Sequence, residues 1–154
     1  HDRRRAGCNL VVVERDEGVL TVAPVELFTL SGQYIGVDKE RPGVDCAIGS
    51  DGAAFHPGLK TDKADLVIRK GFRTAIDSYS AFFENDRETR TGLEGYLRER
   101  GCTEVVCVGL ALDFCVRWSA VDAARLGFRA SVLREGCRAI DLDGSLDAAL
   151  AEFE

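Results

Sequence analysis

Residues 104–116 read EVVCVGLALDFCV, an apolar run that leads through a turn into a helical pattern. The first seven residues are short, continuous and rich in valine, which is typical of a strand buried on both faces of a parallel sheet. Residues 115–126 then follow the apolar spacing of a helix, and Gly127 supplies the usual stop. A buried strand, a tight turn and a helix in this order predict one unit of an α/β fold.

The same alternation continues on both sides of this unit. We predict further buried strands at residues 9–13, 64–69 and 128–133, and further helices at residues 92–100 and 145–153. Residues 19–35 predict short strands that form a hairpin, and residues 36–62, rich in Gly, Asp and Pro, predict a long loop. We therefore predict a single three-layer α/β domain over residues 1–154, in which helices cover both faces of a mostly parallel sheet.

The composition excludes several classes of partner. The 154 residues carry 20 basic and 26 acidic side chains, and a net charge of −6 predicts no binding to nucleic acid. The apolar runs are far shorter than the roughly 20 residues that span a bilayer, so we predict no membrane partner. No signal peptide is recognisable, and we expect a cytoplasmic location. The six cysteines form no Cys-x-x-Cys pair and the histidines number two, so the sequence predicts neither disulfides nor a zinc site of the common Cys/His kind.

Two residues follow predicted strands at the sheet edge where ligands bind in open parallel sheets. Cys115 falls at the start of a predicted helix, where unpaired N–H groups and the helix dipole favour a thiolate and can stabilise an oxyanion. Lys70 ends the strand at residues 64–69 and can hold an anion by its charge. The alternatives are that Cys115 is a small core residue and that Lys70 is a solvated strand end.

Six motifs, taken together and in order, carry a resemblance to a known family. They are GAAFHPGL at 52–59, ADLVIRKG at 64–71, DSYSAFFEN at 77–85, TGL at 91–93, GLALDFCV at 109–116 and GCRAI at 136–140. In these motifs the chain resembles the nicotinamidases (pyrazinamidases), a group of isochorismatase-like cysteine hydrolases. The resemblance covers residues 51–154, whereas residues 1–50 diverge.

The resemblance implies a mechanism and a substrate class. Cys115 matches the family nucleophile, which attacks the amide carbonyl of nicotinamide, releases ammonia and leaves a thioester that water hydrolyses to nicotinate. Lys70 matches the lysine that supports the thiolate. The Leu110-Ala111 turn matches the family's cis-peptide turn, and the amides of Ala111 and Cys115 match its oxyanion hole. The expected partners are nicotinamide or a related small aromatic amide, and a second copy of the chain in a homo-oligomer.

The first 50 residues depart from the family pattern. The family opens with a strand that carries a catalytic Asp, followed by a helix, and neither has a counterpart here, so we expect truncation at the N-terminus. If residues 10–13 match the second family strand, Asp16 matches the Asp of the metal motif, but Gly18 stands in the place of its His. A further metal His is replaced by Asp45. The divalent metal that the family implies (zinc, iron or manganese) would therefore have Asp16 and Asp45 as its remaining ligands.

A second alignment and a second function stay open. Residues 10–13 can also match the first family strand, with Glu14 in the place of the catalytic Asp, but too few residues then precede Lys70 for the metal strand. The retained Cys115 and Lys70 favour amide hydrolysis. The missing Asp and histidines favour an inactive fragment or pseudoenzyme that acts as a binding or oligomerisation module.

Overall fold

The computed structural model describes residues 9–16, 19–25, 64–71, 73 and 76–154, with backbone alone for the first two ranges. The strands are β1 (Asn9–Asp16), β2 (Val19–Val25), β3 (Leu66–Lys70), β4 (Glu104–Leu110) and β5 (Arg129–Arg138). The helices are α1 (Leu93–Glu99), α2 (Arg117–Arg125) and α3 (Ser145–Glu152), and a π-helical turn, here the π-turn (Leu112–Val116), precedes α2. None of the described helices is long and apolar enough to cross a membrane.

The five described strands form one sheet in the order β3-β1-β2-β4-β5. Strand β4 runs parallel to both β2 and β5, whereas β1 runs antiparallel to both β2 and β3. Four of the strands therefore point in one direction and β1 points in the other, which confirms the predicted α/β fold with a mostly parallel sheet. The hairpin predicted within residues 19–35 is wrong in its pairing, because β2 pairs with β1 from Val19 opposite Asp16.

The core lies between one face of the sheet and the helices. Val105 and Cys107 of β4 point to this face and are fully buried, and the parallel register places Ala130 and Val132 of β5 beside them. Helix α2 packs against both strands. The core extends along α1 and the neighbouring loop through further apolar side chains: Phe82, Leu93, Leu97, Val116 and Phe128. Burial of these side chains, about 1.5–3 kcal/mol each for the larger ones, holds the helices to the sheet.

Strand β5 is longer than the predicted strand at residues 128–133. Its first half pairs with β4 up to Val132 opposite Cys107, and pairing resumes with Cys137 opposite Gly109. Three extra residues of β5 are therefore accommodated in an irregularity. Gly136 permits it, because a Cβ at this position would lie 3.3 Å from Val108 Cγ1. The sequence pattern missed the second half because this irregularity interrupts the alternation of apolar residues.

The helical segment after β4 begins earlier than predicted. The prediction started it at Cys115, whereas the π-turn starts at Leu112 and continues directly into α2. Its backbone closes through the carbonyl of Ala111, which accepts hydrogen bonds from Phe114 N at 3.1 Å and from Val116 N at 3.0 Å. Cys115 is thus the fourth residue of a helical segment and lies within the π-turn.

Candidate active site

Lys70 lies at the end of β3 and is buried, with 1% of its surface exposed. Its ammonium nitrogen Nζ lies 2.8 Å from the carbonyl oxygen of Ser78, 2.7 Å from that of Tyr79 and 3.7 Å from Cys115 Sγ. An ammonium has three N–H donors and no acceptor, so two of its donors can be used by these carbonyl oxygens. The third donor then faces the sulfur, where a positive charge favours the thiolate.

The sheet explains why two residues 45 positions apart meet. Strands β3 and β4 run in the same direction, so Lys70 and the π-turn lie at the same edge of the sheet. Strands β1 and β2 separate them, which corresponds to three strand spacings or about 14 Å. The long lysine side chain and the π-turn together span this gap. The structure therefore brings together both predicted catalytic residues, Cys115 and Lys70.

The loop of residues 76–91 supplies the two carbonyl groups that hold Lys70. Its conformation is fixed by Asn85, whose Oδ1 accepts a hydrogen bond from Tyr79 N at 3.0 Å and whose own N–H donates to Asp77 O at 2.8 Å. The sequence analysis missed this contribution, because backbone carbonyls carry no side-chain signal. The nearest clue is the density of Ser, Tyr and Asn in residues 77–85, which is typical of a loop with local hydrogen bonds.

Glu84 fixes the end of β3 from the same loop. Its carboxylate is fully buried and accepts hydrogen bonds from Gly71 N, at 2.9 Å to Oε1 and 3.1 Å to Oε2. Gly71 follows Lys70 directly and has a φ of 68°, a conformation that favours glycine. Glu84 therefore sets the direction in which the chain leaves the lysine.

Cys115 is as buried as Lys70, with 1% of its surface exposed. The other cysteines of the described residues, Cys102, Cys107 and Cys137, are also buried and free. They differ in their surroundings: burial in the core raises the pKa of the Cys107 thiol to about 12, and the nearby Cys137 adds to this effect. Among these thiols, the one beside the lysine ammonium is the one suited to act as a nucleophile.

The π-turn that carries Cys115 is tied to the segment before α3 by Asp113. Its fully buried carboxylate accepts hydrogen bonds from Ile140 N at 3.1 Å, Asp141 N at 2.8 Å and Ser145 Oγ at 2.6 Å. Burial alone would raise the pKa of Asp113, but the hydrogen bonds from Ser145 and the two amides outweigh it and lower the pKa. The ionised carboxylate therefore holds the turn in place.

The turn between β4 and the π-turn contains a cis peptide bond between Leu110 and Ala111, as the resemblance implies. Ala111 is fully buried and precedes the π-turn. The assignment of the Ala111 and Cys115 amides to an oxyanion hole remains a prediction.

Asp16, one of the two predicted metal ligands, is not brought to this site. Asp16 is the last residue of β1, and the register pairs the first residue, Asn9, with Lys70. Seven residues of strand, about 23 Å, therefore separate the backbone of Asp16 from the level of Lys70. Glu14, the alternative to the catalytic Asp, lies about 17 Å from that level by the same count. Asp45 lies outside the described residues.

The described part of the chain does not fit a metal centre. It contains no group of three or more His, Cys, Asp or Glu side chains close enough to hold a metal ion. Burial and hydrogen bonds instead commit Glu84 and Asp113 to backbone amides.

Comparison with known proteins assigns the family. A sequence profile of the isochorismatase domain matches residues 8–154. The chain belongs to the isochorismatase family. The match begins well before residue 51, so it also includes most of residues 1–50, in which the sequence analysis found no family motif.

Individual members of the isochorismatase family agree with this assignment. The chain is 52% identical over 108 residues to a nicotinamidase of Acinetobacter baylyi, a match that covers 70% of this chain and 50% of the relative. The structure of PnC1 from L. infantum in complex with nicotinate is 43% identical, with a TM-score of 0.64 over 68% of this chain and 52% of that one. A zinc complex of the pyrazinamidase of Pyrococcus horikoshii is 29% identical, with a TM-score of 0.54 over 68% and 56%. The chain spans about half the length of the curated relatives it matches.

Proposed function

We propose that this chain hydrolyses nicotinamide, or a closely related small aromatic amide, to the carboxylate and ammonia. The observation that carries the proposal is the 3.7 Å contact between Lys70 Nζ and Cys115 Sγ, both buried at one edge of the sheet. The match to a nicotinamidase at 52% identity and the nicotinate complex of a second relative support the substrate class. A cytoplasmic location remains part of this proposal.

The first half of the reaction forms a thioester. The Cys115 thiolate attacks the amide carbon, a C–S bond forms, and the electron pair of the C=O bond moves onto oxygen. The amides of Ala111 and Cys115 are proposed to stabilise this oxyanion. When the oxyanion collapses, the C–N bond breaks and the leaving nitrogen takes up a proton from solvent water, so that ammonia departs.

The second half returns the thiolate. Water adds to the thioester carbon, and the C–S bond breaks with its electron pair returning to sulfur. Of the two protons that this water releases, one replaces the proton taken up by the leaving nitrogen and the other passes to solvent, so that the product leaves as a carboxylate. Lys70 is held in place by the hydrogen bonds that its Nζ donates to the carbonyl oxygens of Ser78 and Tyr79. Its role is to stabilise the negative sulfur at the beginning and the end of the cycle.

The alternative is an inactive module that binds a ligand or a second copy of the chain. A buried lysine is rare unless it is paired, since removing an ammonium from water is costly. Here the side chain of Lys70 is enclosed by two carbonyl oxygens and one sulfur. Because this arrangement suits a thiolate and offers nothing to a purely structural module, it favours the hydrolase.

The test is the release of ammonia from nicotinamide by the wild-type chain and by Cys115→Ala, each with a chelator and with added zinc, iron or manganese. We expect turnover by the wild type and a loss of at least about 1,000-fold in Cys115→Ala, since the nucleophile has no substitute. Cys102→Ala is the matched control, because it removes another buried free thiol and should keep full activity. Absence of turnover under every condition, or equal turnover by Cys115→Ala, would contradict the proposal.

A further inference from the structure

We propose that Ser119 is a positioning residue that holds Cys115 against Lys70, an inference that rests on the proposed function. Ser119 lies on α2, one helical turn after Cys115, and is fully buried. Its hydroxyl makes two hydrogen bonds that join separate parts of the site. No charge or motif marks this serine in the sequence.

The Ser119 hydroxyl acts as the donor in one hydrogen bond and as the acceptor in the other. Ser119 Oγ donates to the carbonyl oxygen of Cys115 at 2.6 Å and accepts from Ala81 N at 2.9 Å. The first bond lies within the helical segment, and the second crosses 38 residues to the loop that supplies the lysine's acceptors. A hydroxyl can donate one hydrogen bond while it accepts another, so both are compatible.

The second hydrogen bond acts on Lys70 because Ala81 is close in sequence to the two residues that hold the lysine. Ala81 lies two residues after Tyr79 and three after Ser78, whose carbonyl oxygens hold Lys70 Nζ. Ser119 therefore fixes the backbone of the nucleophile on one side and the backbone that holds the ammonium on the other. The separation of Cys115 Sγ and Lys70 Nζ depends on how these two backbones are placed relative to each other.

Loss of the Ser119 hydroxyl would change the separation of Cys115 and Lys70 without removing either reacting group. In Ser119→Ala, Ala81 N loses its partner in a buried environment, and the loop is free to shift toward other hydrogen bonds. The attraction between a buried ammonium and a buried thiolate weakens as they separate, so a shift of the loop weakens the support that the ammonium gives to the sulfur. Small displacements of positioned groups are known to lower rates by factors up to about 100.

The experiment compares Ser119→Ala, Ser119→Thr and a matched control, Ser80→Ala. Ser80 is also buried, with 1% of its surface exposed, but its hydroxyl accepts a hydrogen bond from Phe82 N at 3.1 Å within the same loop. Each variant is measured for the rate of Cys115 alkylation by iodoacetamide at pH 7, for thermal unfolding, and for kcat and KM with nicotinamide. Peptide mass spectrometry assigns the alkylated cysteine.

We expect Ser119→Ala to slow Cys115 alkylation and to lower kcat by about tenfold each, with little change in KM. Ser119→Thr retains the hydroxyl and should restore both rates to within about twofold. Ser80→Ala should leave both rates unchanged even if it lowers the unfolding temperature as much as Ser119→Ala does.

Three results would overturn the proposal: an unchanged alkylation rate in Ser119→Ala, an equal loss in Ser80→Ala, or no rescue by threonine. Exchange of the Ala81 amide in the wild type is a further test that needs no variant, and rapid exchange would overturn the hydrogen bond itself. Alkylation requires no substrate. A chain without amidase activity in which Ser119→Ala still slows alkylation would therefore support the positioning role and refute the proposed function alone.

Discussion

Replacing Asp113 with Asn should destabilise the fold, because it removes a buried negative charge that three donors surround. The three hydrogen bonds, at 2.6–3.1 Å, join the π-turn to the segment before α3 and to Ser145, the first residue of α3. Hydrogen bonds to a charged group contribute about 1.5–3 kcal/mol each. Oδ2 accepts two of them, so an asparagine carbonyl in its place keeps these two without the charge, whereas the amide of the exposed Ile140 loses its acceptor to the asparagine NH2 group and turns to water. We therefore expect a loss of about 2–3 kcal/mol in the free energy of unfolding at pH 7.

The loss in Asp113→Asn should depend on pH in a defined direction. The pKa of Asp113 is lower in the folded chain than in the unfolded chain, where it takes the ordinary value of about 3.9. The stabilisation is therefore fully present above about pH 5 and is lost as the pH falls through the folded pKa. The difference between wild type and variant should therefore shrink as the pH falls through the folded pKa, where the wild-type carboxyl also loses its charge.

Urea titration provides the measurement, followed by the fluorescence of Trp118, the single tryptophan of the chain. Trp118 lies on α2, close to the π-turn, and its ring centroid is 6.3 Å from that of Tyr79. The free energy of unfolding is compared for both proteins at several pH values. A loss below about 0.5 kcal/mol at pH 7, or a loss that stays constant between pH 7 and pH 2, would refute the reasoning.

Two further predictions concern the core and the ion pair of α2. Because burial raises the pKa of Cys107 to about 12, its thiolate fraction at pH 8 is roughly 1 in 10,000. Iodoacetamide should therefore modify Cys115 in the native chain while Cys107 stays intact. Equal modification rates of the two cysteines, measured by peptide mass spectrometry, would contradict this prediction. Arg87 makes a two-bond ion pair with the buried carboxylate of Asp122, and its guanidinium lies 5.1 Å from the Trp118 ring centroid. Arg87→Met should lower the free energy of unfolding by about 1–2 kcal/mol, since 36% of the arginine side chain is exposed to solvent and the pair is partly screened. In the double variant with Asp122→Asn the losses should be less than additive, and strict additivity in urea titrations would show that the pair is not coupled.

The elements that sequence predicted well are those whose apolar residues follow an uninterrupted pattern along the chain. Strand β4 matches its predicted bounds at Glu104 and Leu110, because every second residue faces the core and none of the others breaks the apolar run. Helix α3 was also placed within one residue. The mostly parallel sheet follows from these patterns, but the reversed direction of β1 does not, since strand direction depends on pairing between distant residues.

The candidate site shows a similar division. Cys115 and Lys70 could be predicted because their side chains carry the chemistry and their motifs place them at strand ends. The carbonyls of Ser78 and Tyr79, the carboxylate of Glu84 and the hydroxyl of Ser119 could not be predicted, because their roles arise from contacts that only the folded chain creates. The distance of Asp16 from Lys70 could not be predicted either, since the register of β1 determines which end of the strand lies beside Lys70.

The most direct test of the central claim is the alkylation rate of Cys115 in Lys70→Met. Methionine keeps the length and apolar stem of the side chain but removes the ammonium that lies 3.7 Å from the sulfur. Arg69→Met is the matched control, because it removes one positive charge from the exposed neighbouring position of the same strand. Trp118 fluorescence confirms that each variant is folded. We predict that iodoacetamide modifies Cys115 at pH 7 at least about tenfold more slowly in Lys70→Met than in the wild type, with no change in Arg69→Met. Equal rates in the wild type and in folded Lys70→Met would contradict the account.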